Sequence, residues 1–228
     1  MIQTAHDAYN KQNYTTAFKL YTQLAQQGNA DAQTSLAFMY QKEQGCTLDE
    51  AKALELYTKA AQAKQPYALF NLALLYANGV GGVTHDQFKA HDLHMQAATR
   101  DVPPAMYEVA LMLERGLGCM QNYSEAAFWY EEGAKRGHLE SFNNLGALYK
   151  EGHGVDKDEA RTFVCFSRAA EGGLAQGIYN LGMLYDQGLG CEKNHDKALD
   201  LCRKAAYKGH EKAKQIIQGL QEDGKIVF

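Results

Sequence analysis

The chain repeats itself. Ala32, Ala68, Ala105, Ser141, Gly177 and Ala213 stand 36, 37, 36, 36 and 36 residues apart, and a period of that length restricts the fold to small supersecondary units stacked in series. Four residues beyond each of these markers lies an aliphatic side chain: Leu36, Leu72, Val109, Leu145, Leu181 and Ile217. Five beyond, in the full copies, is Ala37, Ala73, Ala110, Gly146 or Gly182, and eight beyond is Tyr40, Tyr76, Leu113, Tyr149 or Tyr185. Such spacings share one face of a helix, and the small column lets a neighbouring helix come close.

A second helix follows in each copy and closes on Ala61, Ala98, Ala134, Ala170 or Ala206, with Ala25 as a forerunner. Four residues earlier runs a mainly aromatic column of Tyr21, Tyr57, His94, Tyr130, Phe166 and Cys202. Trp129 shares the adjoining column with Leu20, Leu56, Leu93, Cys165 and Leu201, which assigns it to the core. Pro66 and Pro103 open first helices, where a missing N–H costs nothing. Gly28, Gly137, Gly173 and Gly209 end second helices as left-handed caps. The expected fold is a single all-α domain over 1–228, a right-handed superhelical α/α solenoid of about five helical hairpins. Its parts are a helix pair at 3–28, repeats at about 29–64, 65–101, 102–137, 138–173 and 174–209, and a capping helix at 210–222. The tail "QEDGKIVF" is expected to be disordered or to pack on the last repeat, with docking into a second molecule as the alternative.

"RGLGCMQNYSEAA" from Arg115 recurs as "QGLGCEKNHDKAL" from Gln187, and a glycine loop ending in cysteine invites three interpretations: phosphate cradle, redox or metal pair, or recurring structure. The glycines recur in every copy at Gly45, Gly81, Gly118, Gly154 and Gly190, preceded two residues earlier by Gly79, Gly116, Gly152 and Gly188, with Glu43 as the exception. Asp49, Asp86, Asn122, Asp158 and Asn194 then stand where the second helices begin. Only Asp and Asn occur there, as an N-cap requires. That cap occupies the amides a phosphate would need. Cys46, Cys119 and Cys191 lie two repeats apart, about 20 Å at ordinary helix spacing, too far for a disulfide. Structure is the interpretation the columns support.

"SFNNLGALYKEGHGVDKDEARTFVCFSRAAEGG" and "GIYNLGMLYDQGLGCEKNHDKALDLCRKAAYKG" carry a pattern that resembles the Sel1-like repeat (SLR) family, a relative of the tetratricopeptide repeat with a slightly longer unit. The resemblance covers nearly the whole chain and implies an α-solenoid acting as an adaptor in quality control, signalling, secretion or host interaction. Some cysteine-rich relatives are linked to antibiotic binding or hydrolysis, but they pair cysteines within each hairpin, and the five cysteines here are scattered. The chain departs from the pattern at Glu43, at Thr162 in the second-helix alanine column, and by one extra residue near Val83. Glu43 puts the first loop's geometry in question.

In such an array the first helices line the concave side, and residues two and three beyond each marker face it. One column reads Thr34, Phe70, Tyr107, Asn143 and Tyr179; the other reads Ser35, Asn71, Glu108, Asn144 and Asn180. With Arg115, the candidate binding residues are Phe70, Asn71, Tyr107, Glu108, Asn143, Asn144, Tyr179 and Asn180. Amides offer donor and acceptor together and can hold a peptide main chain beside aromatic anchors. They can equally hydrogen-bond the neighbouring repeat.

The expected partner is a protein or peptide. A net charge of −4 supplies no basic field for nucleic acid or an anionic membrane. No run of eighteen apolar residues and no signal-peptide pattern occurs, so the chain as written is expected in the cytoplasm, or in the periplasm or outside if a signal was removed. A monomer is expected, with a dimer as the alternative. His91 and His94, near His85, Asp86 and Asp92, have a spacing that can share a metal. Their columns are filled elsewhere by Leu54 and Tyr57, Phe163 and Phe166, so buried histidines are expected, with no metal and no cofactor. No catalytic residues are expected, and the alternative function is a cysteine- or histidine-assisted hydrolase of β-lactamase type.

Overall fold

The computed structural model describes residues 1–222. Among them thirteen helices and no strand form two compact units. The unit Met1–Gln121 holds α1 (Ile2–Asn10), α2 (Tyr14–Gln26), α3 (Ala30–Gln41), α4 (Glu50–Gln62), α5 (Pro66–Asn78), α6 (Gln87–Ala98) and α7 (Pro103–Arg115). The unit beginning at Asn122 holds α8 (Tyr123–Lys135), α9 (Leu139–Glu151), α10 (Glu159–Glu171), α11 (Ala175–Gln187), α12 (His195–Tyr207) and α13 (Glu211–Glu222). Within each unit every helix packs on its neighbour in sequence, so each is an array of antiparallel helical hairpins. The expected tail beyond Glu222 lies outside the described residues.

The marker column is the tightest part of each array. Ala32, Ala68, Ala105, Ser141 and Ala213 are fully buried, and a Cβ on Gly177 would meet Ala169. Burial extends further round the first helices than the columns four, five and eight residues beyond the marker, because Leu69, Met106 and Ile178, one residue beyond, are also buried. The tyrosines eight beyond are more mixed, with Tyr40, Tyr76 and Tyr185 half-buried. Trp129 is likewise half-buried, not fully in the core, and meets the exposed Phe128 edge to face at 5.3 Å. Thr162 fits the alanine column because its hydroxyl donates to the Asp158 carbonyl at 2.7 Å.

The starters behave as caps. Asp49, Asp86, Asn122, Asp158 and Asn194 each accept a hydrogen bond from the backbone N–H three residues on, satisfying an otherwise unpaired donor of the helix terminus. The glycine two before each loop glycine is a left-handed C-cap at Gly79, Gly116, Gly152 and Gly188. Glu43 takes the same conformation at φ +54, so the first loop keeps its geometry at a cost in strain.

The loop glycines do a second job. A Cβ on Gly45 would lie 2.6 Å from the Tyr14 carbonyl oxygen, and one on Gly81 3.1 Å from that of Glu50. On Gly118, Gly154 and Gly190 it would run into the backbone of Gln87, Tyr123 and Glu159. Each of these is the first residue of the second helix one repeat earlier. The loop therefore seats each hairpin on its predecessor, backbone against helix terminus, where only glycine fits.

Candidate functional site

The predicted binding residues all lie on first helices, and the two units treat them differently. In the first unit Phe70 is half-buried and meets His94 with ring centroids 5.4 Å apart. Asn71 lines a hollow of about 220 Å³ with Tyr9, Tyr21, Thr34, Ser35 and Phe38, and its side-chain amide has no hydrogen-bond partner among the described residues. The Tyr9 hydroxyl donates to Gln44 Oε1 at 2.7 Å on that hollow's wall. Tyr107 and Glu108 are half-buried on α7. Burial pushes the Glu108 carboxyl above its ordinary value, and the Arg115 charge partly offsets this. Arg115 ends α7 and is exposed.

In the second unit the amides are already joined. His210 accepts from the Ala213 amide through Nδ1 at 3.2 Å, which leaves Nε2–H to donate to Gln176 Oε1 at 3.0 Å. Gln176 donates to Asn180 at 3.0 Å, Asn180 to Asn143 at 2.8 Å, Asn143 to Asn144 at 3.2 Å, and Asn144 to the Tyr130 hydroxyl at 3.0 Å. Every link runs the same way. Such chains polarise one another and strengthen each bond. Tyr179 stacks on the His210 ring at 4.3 Å. The packing role weighed for the asparagines is thus present. The chain spends one N–H and one acceptor site of each amide and leaves a second of each.

Sequence reasoning missed Gln176, His210 and Tyr130 as members of this chain, and Tyr9, Tyr21 and Phe38 as walls of the first hollow. A polar residue beside a core column was the available signal for Gln176. Nothing local marked Tyr9, which belongs to the N-terminal helix pair.

Among the described residues none of the five cysteines is in a disulfide. Burial pushes Cys165 up to about 11 and raises Cys46, Cys191 and Cys202, so these thiols are poor nucleophiles near neutrality. His94 is fully buried and held down to about 4 by desolvation, with the His91 charge adding to the shift. His94 Nδ1 and His91 Nε2 are buried without a partner. Among the described residues no three of His, Cys, Asp and Glu gather as a metal ion would need. No helix among them is long and apolar enough to cross a membrane.

The Sel1 repeat pattern matches residues 11–29, 30–64, 66–102, 103–138, 143–174 and 175–210. A solved Sel1 repeat protein from Oxalobacter formigenes is 27% identical, superposes with a TM-score of 0.90, and shares 96% of this chain and 87% of its own. The protein c5321, a protective antigen present in uropathogenic Escherichia coli strains displaying an SLR fold, is 29% identical with a TM-score of 0.81, over 92% of this chain and 45% of its own. Immunity protein Pa5087 from Pseudomonas aeruginosa is 27% identical with a TM-score of 0.52, over 81% of this chain and 67% of its own. No curated protein matches.

Proposed function

This chain belongs to the Sel1 repeat family, and on that premise we propose that it is a non-enzymatic scaffold or adaptor holding a peptide or protein segment on the first-helix faces of its two units. The observation that carries the proposal is the unspent hydrogen-bonding capacity there. Asn71 has its whole amide free beside an aromatic-walled hollow, and Asn143, Asn144 and Asn180 each keep one donor and one acceptor site after joining the repeats. At about 220 Å³ the hollow is below the usual range for small-molecule sites, a size suited to one anchoring side chain. Phe70 and Tyr179 add aromatic area of the kind that dominates binding energy.

The test is capture of the partner by the intact chain, followed by calorimetry with variants. Phe70→Ala and Asn71→Ala are each expected to weaken binding by about tenfold or more; helicity stays unchanged in both, and the melting temperature stays unchanged in Asn71→Ala, whereas Phe70→Ala also loses its packing on His94. Wild-type affinity in both variants contradicts the proposal. A hydrolase built on Cys46, Cys165, Cys191 or Cys202 is disfavoured by the burial that raises those thiols. Turnover of an ester or β-lactam by the purified chain would revive it.

A further inference from the structure

The second helices keep one column turned to solvent, six residues past each N-cap: Glu55, Asp92, Phe128, Val164 and Asp200. Three copies use an acid there, as an exposed position invites. Two adjacent copies, both in the second unit, place Phe128 and Val164, which are 53% and 55% exposed. Trp129, half-buried beside Phe128, extends the apolar strip. The repeat template tolerates acids at this position, so packing within the chain does not ask for these side chains.

Beside the strip lies a hollow of about 400 Å³ between α8 and α10, lined by Glu131 on one side, Ala160, Arg161 and Val164 on the other, and Leu145, Tyr149 and Cys165. Its charges are of opposite sign. Glu131 on α8 pairs with Lys135 at 3.1 Å, and Arg161 on α10 with Asp158 at 3.4 Å and the Tyr149 hydroxyl at 2.9 Å. All of these charged side chains stay substantially exposed and have capacity for further partners.

We propose that this strip is a two-fold interface with a second copy of the chain, in which α8 of each copy packs on α10 of the other. Charge complementarity favours a second copy as the occupant. In an isologous contact residue i meets j while j meets i, so an apolar strip carrying acid on one helix and base on the next matches itself. Phe128 of one copy then meets Val164 of the other, and Glu131 meets Arg161 twice. A partner of single sign would leave one of the two charges opposed.

Sedimentation velocity of the full chain over a concentration series up to the near-millimolar range tests this, with circular dichroism melts as the folding control. The wild type is expected to show a monomer–dimer equilibrium, and Phe128→Glu to be monomeric with an unchanged melt. Should that variant melt early, Val164→Lys serves in its place. Glu131→Arg and Arg161→Glu are each expected to weaken the dimer by about tenfold, and the two together to restore it to within about threefold. Glu is accommodated at the Arg161 position, since Glu125 holds it in the preceding repeat. A wild type that stays monomeric throughout, a dimer indifferent to Phe128→Glu, or a double reversal as weak as the singles overturns the proposal. The first of these outcomes leaves the strip to a different protein.

Discussion

At the residue scale, glycine is required for conformation at some positions and for space as well at others. Gly137 has φ +83 and open room around a Cβ; Gly154 has φ +70 and the Tyr123 backbone where its Cβ would go. Gly137→Ala is therefore expected to cost about 1 kcal/mol, and Gly154→Ala about 3 kcal/mol or more, measured by urea unfolding. Glu43 already carries the left-handed strain, so Glu43→Gly should raise stability by up to about 1 kcal/mol. His94 gives a pH signature. Its folded pKa is about 4 against 6.5 for an ordinary histidine, so the fold disfavours its protonated form. Stability is whole above about pH 6.5 and falls as pH drops towards 4, by up to about 3 kcal/mol. His94→Phe, filling the column as Phe166 does, should flatten that part of the stability profile. An unchanged profile would place the acid sensitivity elsewhere.

At the element scale, what was legible in the sequence is what chemistry decides locally. An N-cap needs a short side-chain oxygen at one position, so the Asp and Asn column announced five helix starts, and the prolines announced two more. Asn194→Ala should cost about 1 kcal/mol through the lost bond to the Lys197 amide. The amide chain was not legible, because it depends on how side chains of different repeats meet. Gln176 and His210 lie one and three residues before markers, outside every column the period defines, yet they close the chain from α13 to α11. Asn180→Ala, which breaks it in the middle, is expected to cost about 1 to 2 kcal/mol where Asn71→Ala costs nothing measurable. Thermal melts of the two variants check the contrast. The buried face is wider than the columns announce for a related reason: the column one residue past the marker mixes Gln33 and Phe142 with Leu69, Met106 and Ile178, so its composition hides the burial.

At the scale of the molecule, one mechanical instruction recurs from copy to copy. Repeats that keep the second-helix template present an acid outward, as Glu55, Asp92 and Asp200 do, and the second unit departs from it at Phe128 and Val164. On the first helices Asn71 keeps the amide that its column shares with Asn144 and Asn180, and differs from them in having no partner for it. Hydrogen–deuterium exchange of the chain with and without its captured partner tests the central claim most directly. Protection is predicted on α3, α5, α9 and α11, with the glycine loops at 116–122 and 188–194 exchanging as before. Protection confined to those loops, with the first helices unchanged, would contradict it.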